Sequence, residues 1–113
     1  MDLMKALFGQ PLPSVSAAEL NEKLKNGKRP LVVDVRQPGE YHTGHINGAK
    51  LIPLGELSGR LKELPKNKEI VLVCASGSRS RSATKILVRE GYEAVNMNGG
   101  MISWSRSGLS IKK

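Results

Sequence analysis

Two hydrophobic rhythms alternate along this chain. Leu31-Val32-Val33-Asp34-Val35 and Glu69-Ile70-Val71-Leu72-Val73 are nearly continuous apolar, β-branched runs, the pattern of strands buried on both faces. Around them apolar residues recur at helical spacing: Leu20 with Leu24, then Leu54 with Leu57 and Leu61, each set sharing one face of a helix. Ser16 and Glu19 have the spacing of a capping box, which predicts a helix running to about Asn26 and stopped by Gly27. Pro38-Gly39 opens a short helical turn, and Gly44 and Gly48 bracket the loop after it. Ala49 to Ile52 predicts a short strand ended by Pro53, with Gly59 an imperfection in the helix that follows. Ser80 to Glu90 has helical character and stops at Gly91. A strand near Ala94 to Met97 and a last helix containing Trp104 complete the order.

This β-α-β-α-β alternation implies an α/β fold, a central parallel sheet of about five strands with helices on both faces. Pro11 and Pro13 mark off residues 1–13 as an N-terminal extension. Residues 14–108 form one domain and residues 109–113 a C-terminal tail. The full length of 113 residues suffices for a single core.

Composition narrows the function classes. No stretch approaches the roughly 20 apolar residues of a membrane span. Met1 to Phe8 leans apolar but has Asp2 near its start and lacks a basic head and a cleavage site, so it reads as a docking helix or a frayed end rather than a secretory signal. Cys74 is the only cysteine, which excludes an internal disulfide framework and a cysteine-rich zinc site and fits a reducing, cytoplasmic setting. The net charge is +8, with +5 of it carried by residues 77–113. Such a field gathers small anions. Nucleic acid is not an expected partner, because only four aromatic residues are present to interleave with the basic ones.

The chemistry concentrates at Cys74-Ala75-Ser76-Gly77-Ser78-Arg79, where a predicted strand ends and a helix begins. A thiol there faces successive backbone N–H groups and the positive end of a helix dipole, and both lower its pKa from the usual value of about 8.5. Gly77 lets the backbone turn its N–H groups toward one centre. Ser76, Ser78 and Ser80 add hydroxyls, and Arg79 adds a permanent charge with planar donors. Together they form a cup for a negatively charged group on sulfur. A buried, inert cysteine before a serine-rich cap is the plainer alternative. Gly77, Arg79 and the strand-to-helix placement weigh against it.

Beyond this loop, the chain resembles a single-domain rhodanese, a thiosulfate-type sulfurtransferase, over nearly all of residues 14–108. Asp34-Val35-Arg36 with Glu40-Tyr41, then Gly44-His45-Ile46, Gly48-Ala49 and Ile52-Pro53-Leu54, resemble the family's N-terminal signature. Cys74-x-x-Gly77-x-Arg79 is similar to its active-site loop, and Gly99-Gly100 with Trp104 to its C-terminal motif. The resemblance implies a rhodanese-like fold and a Cys74 persulfide, formed from a small anionic donor such as thiosulfate, a polysulfide or a persulfide. The outer sulfur then passes to cyanide, a thiol or a protein. Cys74 is the expected nucleophile and the backbone of Ala75, Ser76, Gly77, Ser78 and Arg79 the expected cradle. Arg79 is expected to orient the donor, with Arg81 as a helper. No cofactor and no metal are implied.

Two other readings stand beside this one. Cysteine phosphatases and arsenate reductases share the chemistry, and the cell-cycle phosphatases share the fold, but their loop is longer. The four residues between Cys74 and Arg79 suit a single added sulfur better than a tetrahedral oxyanion. A non-catalytic persulfide carrier or docking module is the other reading.

Asp34 at a buried strand end is expected to accept backbone hydrogen bonds or to pair with an arginine, and Arg36 with Glu40 to form an ion pair on the same rim. His42 and His45 invite a Cys–His dyad, but two isolated histidines make a poor metal site and the plainer reading is two satisfied loop histidines. Trp104 is expected to pack on the core beside Gly99-Gly100.

Overall fold

The computed structural model describes residues 12–27 and 29–113. The segment Met1 to Phe8, read above as a docking helix or a frayed end, lies outside the described residues. Elements follow in the order β1 (Ser14–Val15), α1 (Ala17–Lys25), β2 (Leu31–Asp34), α2 (Pro38–His42), β3 (Lys50–Leu51) and α3 (Leu54–Leu57). A 3-10 turn (Leu61–Glu63), β4 (Ile70–Val73), α4 (Ser78–Arg89), β5 (Ala94–Met97) and α5 (Gly100–Arg106) complete the chain.

The five strands among the described residues are parallel, in the order β1-β5-β4-β2-β3. Side chains of a strand alternate between faces, and the core divides accordingly. Val71 and Val73 of β4 face one cluster with Leu20 of α1 and Met101 and Trp104 of α5. Ile70, Leu72 and Cys74 face the other, with Leu57 of α3 and Ala83 and Leu87 of α4. Helices therefore cover both faces, as the continuous apolar runs require. Cys74 sits in register with the α4 side of the sheet.

Ser16 caps α1 as its spacing predicts: its hydroxyl accepts from the Glu19 N–H at 3.0 Å, and the Glu19 carboxylate accepts from the Ser16 N–H at 2.8 Å. Three local differences have simple causes. β1, two residues long, is too short to leave a pattern in the sequence. α4 starts at Ser78 rather than Ser80, because Gly77 takes a left-handed φ of 102° and serves as its N-cap. Leu54, Leu57 and Leu61 do not lie on one helix: α3 ends at Leu57, and Gly59 lies in the turn before the 3-10 segment, where it disfavours helix.

The C-terminal residues fold back on the body. His45 and Lys112 exchange two backbone hydrogen bonds of 2.8 and 2.9 Å. Trp104 is buried in the core, and its Nε1–H donates to the Ser110 carbonyl at 3.0 Å. Among the described residues no helix is long and apolar enough to cross a membrane.

Candidate active site

Strands β2 and β4 run side by side with Asp34 opposite Val73, so the residues that leave both strands emerge at one end of the sheet. Arg36 and Cys74 thus share a rim at the carboxyl ends of parallel strands, where such sheets bind ligands.

The loop after β4 is held against the start of α5. Cys74 and Ala75 turn their carbonyls toward the start of α5 and accept from the N–H groups of Met101 at 2.8 Å and Ile102 at 3.0 Å. Gly77 packs against the backbone of Gly99, 3.2 Å from where its own β-carbon would lie. With the carbonyls of Cys74 and Ala75 tied to α5, the N–H groups farther along the loop turn inward. The Gly77 N–H donates to Cys74 Sγ at 3.0 Å. Gly77 is the N-cap of a 12-residue helix, α4, whose dipole adds positive potential.

Cys74 is fully buried. Burial pushes its thiol up, but hydrogen bonds from the Ser80 hydroxyl and from the Ser80, Gly77 and Ser76 N–H groups outweigh it, and the net shift is downward. The loop therefore favours a thiolate without an adjacent base.

The charged residues pair differently from the sequence expectation. Arg36 and Glu40 do not form an ion pair with each other. Buried Arg36 lies over buried Asp34, with Nη2 2.7 Å from Oδ2 and Nε 2.9 Å from Oδ1, and Nη2 also donates to the Gly44 carbonyl at 2.9 Å. Asp34 further accepts the Arg36 backbone N–H at 3.1 Å. Glu40 reaches across to the cysteine loop instead. Arg79 Nη1 and Nη2 donate to its two carboxylate oxygens at 2.7 and 2.8 Å. That pairing, with a further bond from the Gln37 N–H, holds the Glu40 carboxyl at about 2. Steric reach decides the partners: a side chain two residues on folds back over the strand end, whereas Glu40 at the start of α2 projects toward α4.

Ala75 and Arg79 are half-buried, and Ser76, Ser78 and Arg81 are exposed. Arg81 makes no ion pair among the described residues. His45 is occupied by structure: its ring stacks on Tyr41 with centroids 3.7 Å apart, and Nδ1 bonds to the Tyr41 carbonyl at 2.9 Å. The ring of His42 meets Tyr41 edge-on. Neither histidine hydrogen-bonds Cys74 among the described residues. No group of three or more His, Cys, Asp or Glu there could hold a metal ion.

Asn96 has no counterpart in the sequence reading. It is buried in β5, and its Oδ1 lies 2.5 Å from the Ser80 hydroxyl. The available signal was a single amide in the apolar strand Ala94-Val95-Asn96-Met97, since a buried polar side chain needs a partner.

Residues 16–107 match the family described as Rhodanese-like domain. The chain is 37% identical over 98 residues to a sulfurtransferase of Allochromatium vinosum, covering 86% of this chain and 92% of that one. It is 32% identical over 75 residues to the thiosulfate sulfurtransferase GlpE of Pseudoalteromonas translucida, covering 66% and 71%. The crystal structure of a rhodanese-like domain protein from Staphylococcus aureus superposes with a TM-score of 0.82 at 39% identity, over 90% of this chain and 100% of that one. The two sequence relatives carry names for sulfur transfer and the solved structure shares the fold, and the chain belongs to the rhodanese-like domain family.

Proposed function

We propose that this protein is a sulfurtransferase that moves sulfane sulfur from thiosulfate, or a related polysulfide or persulfide, to a thiophilic acceptor through a persulfide on Cys74. The observation that carries this reading is the sulfur of Cys74 held in its own loop, with the Gly77 N–H at 3.0 Å and its thiol shifted toward thiolate. The Cys74 thiolate attacks the outer sulfur of thiosulfate. A bond forms between the two sulfurs, the sulfur–sulfur bond of the donor breaks, and sulfite leaves with the electron pair. The persulfide anion that remains occupies the same ring of N–H donors, which need not rearrange between steps. Cyanide, a thiolate or a protein thiolate then attacks the outer sulfur, leaves as thiocyanate or a new persulfide, and returns Cys74 to thiolate.

Arg79 orients the anionic donor. Glu40 occupies two of its N–H groups, and a guanidinium has five, so donors remain for substrate. Exposed Arg81 draws the anion in. Asp34, Arg36 and Glu40 support the wall. Because Cys74 is fully covered, the donor displaces neighbouring atoms as it reaches the sulfur. The shortness of the loop supports sulfur over phosphoryl or arsenate chemistry, and the similarity to a named thiosulfate sulfurtransferase supports thiosulfate as donor.

Intact mass after incubation of the reduced protein with thiosulfate tests this. A gain of one sulfur, absent in Cys74→Ser and released as thiocyanate by cyanide, is the expected result. No added sulfur from thiosulfate or polysulfide would overturn the reading and point to hydrolysis or reduction of an oxyanion.

A further inference from the structure

Helix α4 carries Arg79, Arg81, Lys85 and Arg89 and no acid, and the chain has no acidic residue between Glu69 and Glu90. Arg79 turns to Glu40. The other three recur every fourth residue, a spacing that puts them on one face. With Ser78 and Ser82 they are the exposed positions of the helix, while Ala83, Thr84 and Leu87 are buried. The row covers about 12 Å of helix. It begins one turn beyond Gly77, whose carbonyl accepts from the Arg81 N–H at 3.1 Å and whose own N–H holds the Cys74 sulfur.

This row works against its own helix. Like charges four residues apart repel, and Arg81 lies near the N-terminal end, where the dipole disfavours cations. Elsewhere the chain neutralises its charges: Glu22, Asp34, Glu40, Glu56, Glu63 and Glu69 each bridge to a Lys or Arg outside the row. Arg81 and Lys85 make no ion pair among the described residues. Anionic groups from outside the chain would offset the repulsion.

The extent of the row selects the kind of anion. A small donor needs charge beside the sulfur, not a row leading away from it. A single-stranded nucleic acid needs aromatic platforms, and α4 has none. A membrane surface needs an apolar flank, and the exposed positions of α4 hold only Ser, Arg and Lys. An acidic protein needs neither.

We propose that the exposed face of α4 is the docking surface for the sulfur acceptor, and that this acceptor is a protein with an acidic patch beside its thiol. The partner's carboxylates lie along Arg81, Lys85 and Arg89 while its thiolate meets the Cys74 persulfide. That thiolate attacks the outer sulfur, the sulfur–sulfur bond to Cys74 breaks, and Cys74 leaves as thiolate with the electron pair. The proposal rests on the sulfur-transfer reading and narrows its acceptor from any thiophile to an acidic protein.

Two thiol peptides of equal length test it, one with a run of glutamates after its cysteine and one with glutamines there. Full chain loaded with sulfur from thiosulfate is mixed with each, and the second-order rate constant of discharge is measured for the parent and Lys85→Glu. The glutamate peptide is expected to react about tenfold faster in the parent, and Lys85→Glu to cut that ratio to about threefold or less. Because the row repels itself, Lys85→Glu should melt at or above the parent's temperature. A ratio near one in the parent, a ratio unchanged by Lys85→Glu, or a lowered melting temperature overturns the proposal. Labelled peptides with serine for cysteine bind without chemistry, so fluorescence polarisation reads the same preference when no sulfur is loaded. Failure of loading therefore strikes the sulfur-transfer reading, and loss of the charge preference strikes the docking surface. Tighter binding of a labelled oligothymidylate than of the glutamate peptide would assign the face to nucleic acid and overturn the proposal too.

Discussion

Gly100 lies directly against Cys74: a β-carbon built on it would overlap the Cys74 carbonyl oxygen and lie 2.5 Å from the Ala75 carbonyl carbon. The next residue, Met101, donates its N–H to that same Cys74 carbonyl at 2.8 Å. The start of α5 thus forms the floor of the cysteine loop, and only a residue without a side chain fits there, at a φ of 58°. Gly100→Ala is expected to cost about 2 kcal/mol or more in urea unfolding, since neither the backbone overlap nor the left-handed φ can be relieved cheaply. The contrasting variant is Gly55→Ala in α3, where nothing lies within 4 Å of the added carbon. That change should stabilise by about 0.5 kcal/mol.

The Asp34–Arg36 pair is almost fully buried, at 1% and 6% side-chain exposure. Removing one member of such a pair strands the other charge. Asp34→Ala is expected to destabilise by about 3–5 kcal/mol, and Asp34→Leu with Arg36→Met to recover most of that loss. A small effect of Asp34→Ala on the urea midpoint, with a large loss of transfer activity, would instead place Asp34 in the chemistry.

Glu40 and Arg79 are each more than a third exposed, so solvent screens their bridge and its contribution stays below about 1 kcal/mol. Its pH dependence follows from the depressed carboxyl. Glu40 titrates at about 2 in the folded protein, against 4.5 for an ordinary glutamate. The stabilisation is therefore complete above pH 4.5 and is lost as pH falls toward about 2. Comparing urea midpoints of the parent and Glu40→Gln at pH 7 and near pH 2 tests this, with the gap expected to close at the acid end. Losing this carboxylate also leaves Arg79 uncompensated beside the sulfur, and the KM for thiosulfate should fall.

Salt separates steering from chemistry. Residues 77–113 carry +5 of the net +8, and Arg81 is exposed. Raising ionic strength should lower kcat/KM for thiosulfate more than kcat. Arg81→Ala should lower kcat/KM a few-fold at low salt and flatten the salt response. An unchanged response in steady-state assays would reduce the charge to a solubility feature.

Most of the sheet was legible in the residues, and for a local reason. A strand buried on both faces has to be continuously apolar, so β2 and β4 stand out, and Ser16 with Glu19 announces α1 within four residues. The cysteine loop was equally plain, because Cys74 and the Gly77 N–H that holds its sulfur are three residues apart. β1 left no trace: two residues cannot show a period, and their pairing with Asn96 and Met97 exists only once the chain has closed.

What the sequence determined by itself was the order of strands and helices, the position of Cys74 at a strand-to-helix junction, and the turn at Gly77 that aims N–H groups at sulfur. Each depends on backbone preferences over a few neighbouring residues. Only the tertiary structure decided that Glu40 accepts from Arg79 and not from Arg36, that Gly100 supports Cys74, and that Asn96 reaches Ser80. These contacts join residues 39, 26 and 16 positions apart, respectively. They follow from the packing of α2, α4, α5 and β5 around one end of the sheet, which sets distances that no local pattern records.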